Sequence, residues 1–164
     1  MKKALVFLFT GAAICWLFTG LFFKTWLGSS TADVQIQDTL FVIDGLHFGL
    51  GFAFLFGFAA CIYYWWPRVT GRKMQNALGW IHFWLSLLGS IFVLKWGAYI
   101  LMPRHYLGIG DWDHFAAWEH IHEKLPWVLL AMAAAQGVFI FNLAYSAVWG
   151  EKLRNLRKFK PKNN

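Results

Sequence analysis

Four stretches of the chain, Ala4 to Phe23, Leu40 to Trp66, Ala77 to Met102 and Leu125 to Trp149, are apolar almost without interruption. Each is long enough to cross a bilayer, which takes roughly 20 apolar residues in a helix. Between them lie polar segments of different character. Lys24 to Thr39 contains Gly28, Ser29 and Ser30, Pro67 to Asn76 is a short basic turn, and Pro103 to Lys124 is an acidic loop. Hydrocarbon offers backbone groups no hydrogen-bond partner, so apolar spans of this length fold as helices. The pattern therefore predicts an all-α membrane protein with four transmembrane helices. Residues 1–150 form the four-helix domain and 151–164 a basic tail.

Composition agrees, with 59% hydrophobic and 14% charged residues, where a soluble domain carries about 25% charged. The formal net charge of +7 does not point to nucleic acid once the basic residues are located. Lys2, Lys3, Arg68, Arg72, Lys73 and the tail residues Lys152, Arg154, Arg157, Lys158, Lys160 and Lys162 fall on one alternating set of segments. The other set carries Lys24, Arg104 and Lys124 against Asp33, Asp38, Asp111, Asp113, Glu119 and Glu123. Cytoplasmic segments are the ones rich in Lys and Arg, so both termini are expected in the cytoplasm, which requires an even number of spans. The start Met1-Lys2-Lys3 suits a bacterial cytoplasmic (inner) membrane, and the lack of a small-x-small site after the first apolar run favours a retained span over a signal peptide. The tail is expected to be a solvated charge run touching anionic lipid head groups. Cys15 and Cys61 lie inside spans, where buried apolar packing is the usual role.

Ionisable groups inside membrane helices are candidates for function because they are expensive there; in this chain they are Asp44, His47, His82 and Lys95. With a helix beginning near Leu40, Asp44 and His47 share one face. An imidazole at that depth can ligate haem iron or zinc, or hydrogen-bond a neighbouring helix, and spacing alone favours the structural role. His82, within Leu78-Gly-Trp-Ile-His-Phe-Trp, is expected to pack among aromatics with one hydrogen bond. Asp44 and Lys95 are expected to form a buried ion pair, lying about 7 Å and about 10 Å below their helix ends at 1.5 Å per residue. The alternative is that Lys95 snorkels outward while Asp44 bonds His47 or backbone amides. In the acidic loop, His105, His114, His120 and His122 have acidic neighbours, but Glu119-His-Ile-His-Glu123 does not put both imidazoles on one helix face and matches no zinc signature. No nucleophile triad, phosphate loop or catalytic carboxylate pair is present.

Three strings taken together carry a resemblance: Asp38-Thr-Leu-Phe-Val-Ile-Asp-Gly-Leu-His-Phe, then Tyr63-Tyr-Trp-Trp-Pro-Arg-Val-Thr-Gly-Arg, then Leu78-Gly-Trp-Ile-His-Phe-Trp-Leu, followed by Met102-Pro-Arg-His-Tyr. In this order they resemble the C-terminal third of subunit I of the haem-copper (cytochrome c) oxidases, most closely from Asp38 to Tyr106. In that family the first string carries two histidines, one for the high-spin haem beside copper and one for the low-spin haem. Gly45 stands at the first position and His47 keeps the second. Gln37 replaces a histidine that, with the following Asp, serves a magnesium site between subunits; that Asp is kept as Asp38. The family's Arg-Arg pair on the haem propionates is Arg104-His105. The copper ligands, and the second ligand of the low-spin haem, lie on helices absent from this sequence.

The resemblance thus implies a non-catalytic, oxidase-like membrane subunit with no copper, packed beside other membrane subunits of a respiratory electron-transfer complex. His47 would bind a haem of b or a type shared with a partner chain, and Arg104 and His105 would sit near its propionates. Two other roles stay open: a purely structural subunit without cofactor, and one half of a split oxidase or reductase completed by another chain, against which Gly45 argues.

Overall fold

The computed structural model describes residues 3–26, 31–36, 39–100 and 112–150. Four helices appear, each containing a segment long and apolar enough to cross a membrane: α1 (Lys3–Trp26), α2 (Gly45–Thr70), α3 (Asn76–Ile100) and α4 (Trp112–Trp149). Two boundaries differ from the sequence expectation. Between α1 and α2 stands an antiparallel hairpin of β1 (Thr31–Ile36) and β2 (Thr39–Asp44), so α2 begins at Gly45 rather than near Leu40 and the fold is not helical throughout. The polar residues from Trp112 to Lys124, expected in a loop, extend α4 at its N-terminal end, with Pro126 inside the helix.

α1 packs along α2 and α3 along α4. The first pair crosses in backbone contact. A Cβ on Gly49 would come within 2.6 Å of the Gly20 nitrogen and 2.8 Å of the Trp16 carbonyl oxygen. Small residues at a helix crossing are how membrane helices gain van der Waals contact where lipid already satisfies apolar side chains. The two pairs meet around Phe9 of α1, Phe56 and Tyr63 of α2, Phe83 of α3 and Phe139 of α4, all buried. Phe9 lies edge-on to Phe83 at 5.0 Å and stacks on Tyr63 at 5.2 Å, geometries that aromatic quadrupoles favour.

One end of the bundle is tied by polar contacts. Gly71, with φ of 64°, supplies the left-handed residue that commonly ends a helix. The turn after it places Arg72 on the C-terminus of α4, where its guanidinium donates to the carbonyls of Ala147 and Val148. A cation on unsatisfied C-terminal carbonyls is favourable both as a hydrogen-bond donor and toward the helix dipole. Ser146 donates to the Lys73 carbonyl at 3.2 Å and Trp66 Nε1 donates to Ser146 at 3.3 Å. Gly79, near the start of α3, faces Leu5 near the start of α1. The N-terminal part of α1, the α2–α3 turn and the end of α4 therefore share one end, the up-and-down arrangement that four spans with short connections require.

At most 33% of any span's apolar window is buried. Phe7, Phe54, Trp127, Ile140 and Trp149 lie well exposed on the outside. Cys15 and Cys61, expected inside, are exposed as well, because in a membrane bundle an apolar side chain gains little by turning inward.

Candidate functional site

α2 holds the candidate ligand. Gly45, its first residue, is buried, and His47, two residues later, is exposed. Asp44 is the last residue of β2, so it does not share a helix face with His47 and does not lie a turn inside a span. The helix start near Leu40, from which the pairing of Asp44 with Lys95 was argued, is corrected: Asp44 stands immediately before α2 rather than inside it. Lys95 belongs to α3, but the side chains of Asp44 and Lys95 lie outside the described residues, as do Arg104 and His105 altogether. His114, His120 and His122 fall on the helical backbone of α4; their side chains are not described.

His82 is committed elsewhere. It is 1% exposed, hydrogen-bonded through Nδ1 to the Tyr63 hydroxyl at 3.2 Å and stacked on Phe139 with ring centroids 4.8 Å apart. The expected packing role among aromatics is what the structure gives, but with polar partners on two other helices, Tyr63 and Gln136, rather than a single hydrogen bond. The buried face of α4 continues this polar seam. Asn142 accepts from the Gln75 amide at 3.0 Å and donates to the Gln75 carbonyl at 3.1 Å, and Gln136 donates to Ser86 at 3.4 Å. Sequence reasoning passed over Tyr63, Gln136, Asn142 and Ser146. The available signal was the spacing 135, 139, 142, 146, one helical stripe carrying two polar residues inside an apolar span, a usual mark of the face toward other helices.

Among the described residues no group of three or more His, Cys, Asp or Glu side chains could hold a metal. A low-spin haem needs two axial ligands, commonly histidines or a His and a Met. Of the two histidines with described side chains, His47 is exposed and available and His82 is enclosed. Among the described side chains His47 is thus the exposed imidazole.

The profile of the family described as "Cytochrome C and Quinol oxidase polypeptide I" matches residues 1–136. The "Alternative cytochrome c oxidase subunit 1" of Bradyrhizobium diazoefficiens is 36% identical over 137 residues, 81% of this chain and 22% of that protein. The "Cytochrome c oxidase subunit 1" of Corynebacterium glutamicum is 33% identical over 76% of this chain and 21% of its own length. The "Heme-copper oxidase subunit I+III" of Aeropyrum pernix is 33% identical over 76% of this chain and 15% of its own. The chain therefore spans about a fifth or less of the length of these curated relatives. No solved structure matches significantly. With its four apolar spans and a match reaching from the first residue into α4, the chain belongs to the cytochrome c and quinol oxidase polypeptide I family.

Proposed function

We propose that the chain is a non-catalytic, oxidase-subunit-I-like membrane subunit of a respiratory electron-transfer complex, contributing His47 as one axial ligand to a low-spin haem of b or a type. The observation that carries this is the exposed imidazole of His47 two residues after Gly45, in a chain of this family. A glycine has no side chain with which to bind high-spin iron, so the proposal includes neither an oxygen-reducing centre nor copper. Arg104 would grip a propionate with its planar fork, with His105 beside it. When bound, the haem would supply one-electron transfer; the chain's own part is to hold and orient it through His47. Both ends would lie in the cytoplasm, a reading the basic turn and tail support under the positive-inside rule, with a bacterial inner membrane as the location and membrane subunits and the bilayer as the remaining partners.

The short coverage of the relatives favours one further reading, in which another chain carries the missing helices and completes an oxidase or reductase. Purifying the complex through a tag on this chain, identifying the co-purified chains by mass spectrometry and assaying haem per chain separates these readings. The proposal expects membrane partners, with haem lost in His47→Ala while the partners remain. Unchanged haem, with partners retained, would instead mark a structural subunit.

A further inference from the structure

The helical start of α4 gives one polar string a geometry that a loop would not. Glu119-His-Ile-His-Glu123 lies on the backbone of α4, and residues three and four apart on a helix are neighbours, with Cβ atoms roughly 5–6 Å apart. Glu119 stands three residues before His122 and four before Glu123. One helix face therefore carries two glutamates with a histidine beside them. His114, five residues before Glu119, falls on the far side of the helix at 3.6 residues per turn. His120 comes to Glu119 and Glu123 from the flank opposite to His122.

The string also stands clear of the hydrocarbon. The apolar window of α4, Glu123–Trp149, has 27 residues, about 40 Å at 1.5 Å per residue, whereas a bilayer core is about 30 Å thick. The C-terminus of α4 is tied to the α2–α3 turn through Arg72, so Glu119 to Glu123 lie at the other end of the bundle, beyond that core. Glu123 is exposed there. Like charges four residues apart destabilise a helix, and a cation shared by Glu119 and Glu123 turns their repulsion into attraction.

We propose that the face of Glu119, His122 and Glu123 binds a divalent metal ion of the zinc type. Mixed imidazole and carboxylate donors suit zinc, whereas calcium and magnesium take oxygen ligands. Glutamate followed three residues later by histidine is the spacing with which helices serve metal centres in carboxylate-rich bundle proteins. Two carboxylates and a neutral imidazole balance the charge of a divalent ion. Three protein ligands leave a fourth position of the tetrahedron for water. The site is independent of His47 and of haem, since it stands on another helix and outside the hydrocarbon.

The full chain, purified in detergent through a tag without histidines and stripped with a chelator, is titrated with Zn²⁺ in a calorimeter. Co²⁺ serves as a second probe whose visible spectrum reports the ligand set. Saturable binding of one ion per chain is the expected result, lost in Glu119→Gln and in His122→Gln and kept in His114→Gln, His120→Gln and His47→Ala. Glutamine is a good helix former, so circular dichroism should show the helix content unchanged in the variants that lose the ion. No saturable binding by the native chain would overturn the proposal, leaving a solvated charged face. Binding unchanged in both Glu119→Gln and His122→Gln, or lost in His114→Gln, His120→Gln or His47→Ala, would overturn it as well by putting the ion elsewhere.

Discussion

Glycine 49 offers the sharpest perturbation of the fold. In Gly49→Ala the new methyl would meet backbone on every side: the Gly20 Cα, the Gly20 nitrogen at 2.6 Å and the Trp16 carbonyl oxygen at 2.8 Å. None of these atoms can rotate away, so α1 and α2 have to separate along their crossing. Overpacking of this kind costs typically about 1–3 kcal/mol, and separation also loosens the Trp16–Phe52 contact, whose centroids are 4.6 Å apart. Two controls bracket the effect. Gly11→Ala adds its methyl where nothing lies within 4 Å and should be neutral or slightly stabilising through helix propensity. Gly89→Ala meets first the side chain of Met132, which is flexible, and should cost less than Gly49→Ala. Thermal or denaturant unfolding in one detergent, followed by tryptophan fluorescence, ranks the three. A Gly49→Ala chain as stable as Gly11→Ala would refute the backbone crossing.

Other outcomes follow from the same structure. Asn142→Leu removes the side-chain acceptor of the Gln75 amide and one of two donors to the Gln75 carbonyl, which keeps the Gly79 amide, and should cost about 0.5–1.5 kcal/mol for each hydrogen bond lost; denaturant unfolding reads the loss. If Asp44 and Lys95 pair, Lys95→Met should cost about 3–5 kcal/mol and Asp44→Asn with Lys95→Met should recover part of the loss; a double mutant no better than the singles removes the pair. Arg104→Ala, and Arg104→Lys nearly as much, should lower haem retention more than His105→Ala, because only Arg offers a planar fork that stays charged; equal retention in Arg104→Ala and wild type counts against a propionate role. Single cysteines introduced between Arg68 and Lys73, in a background lacking Cys15 and Cys61, should react with an impermeant thiol reagent only from the cytoplasmic side of sealed vesicles; reaction from the opposite side alone would invert the topology.

The four spans were legible because long apolar runs leave no alternative in a bilayer. The hairpin was not, since a window long enough to find a span absorbs Leu40 to Ile43 into the next helix. Its signal is shorter: Thr31-Ala-Asp-Val-Gln-Ile36 alternates strictly, the period of a half-buried strand, and the register sets Val34 opposite Phe41 and Ala32 opposite Ile43. The polar start of α4 was hidden by its charges, although Trp112 to Leu125 contains no Gly or Pro and much of it is good helix former. His82 was readable from its aromatic neighbours. The exposure of Cys61 was not, because hydrophobicity does not separate inside from outside when the solvent is lipid; the inner face is marked instead by Gly20, Gly49, Asn142 and Ser146. His47 stood out as an ionisable group in a span, but its outward direction required the helix phase fixed by Gly49 at the α1 crossing.

The account turns on whether His47 touches iron. The reduced-minus-oxidised absorption spectrum of the complex purified through this chain, recorded for wild type and His47→Ala, tests that directly. Loss or displacement of the low-spin haem bands in His47→Ala, with the co-purified subunits unchanged, is the predicted result; superimposable spectra would contradict it.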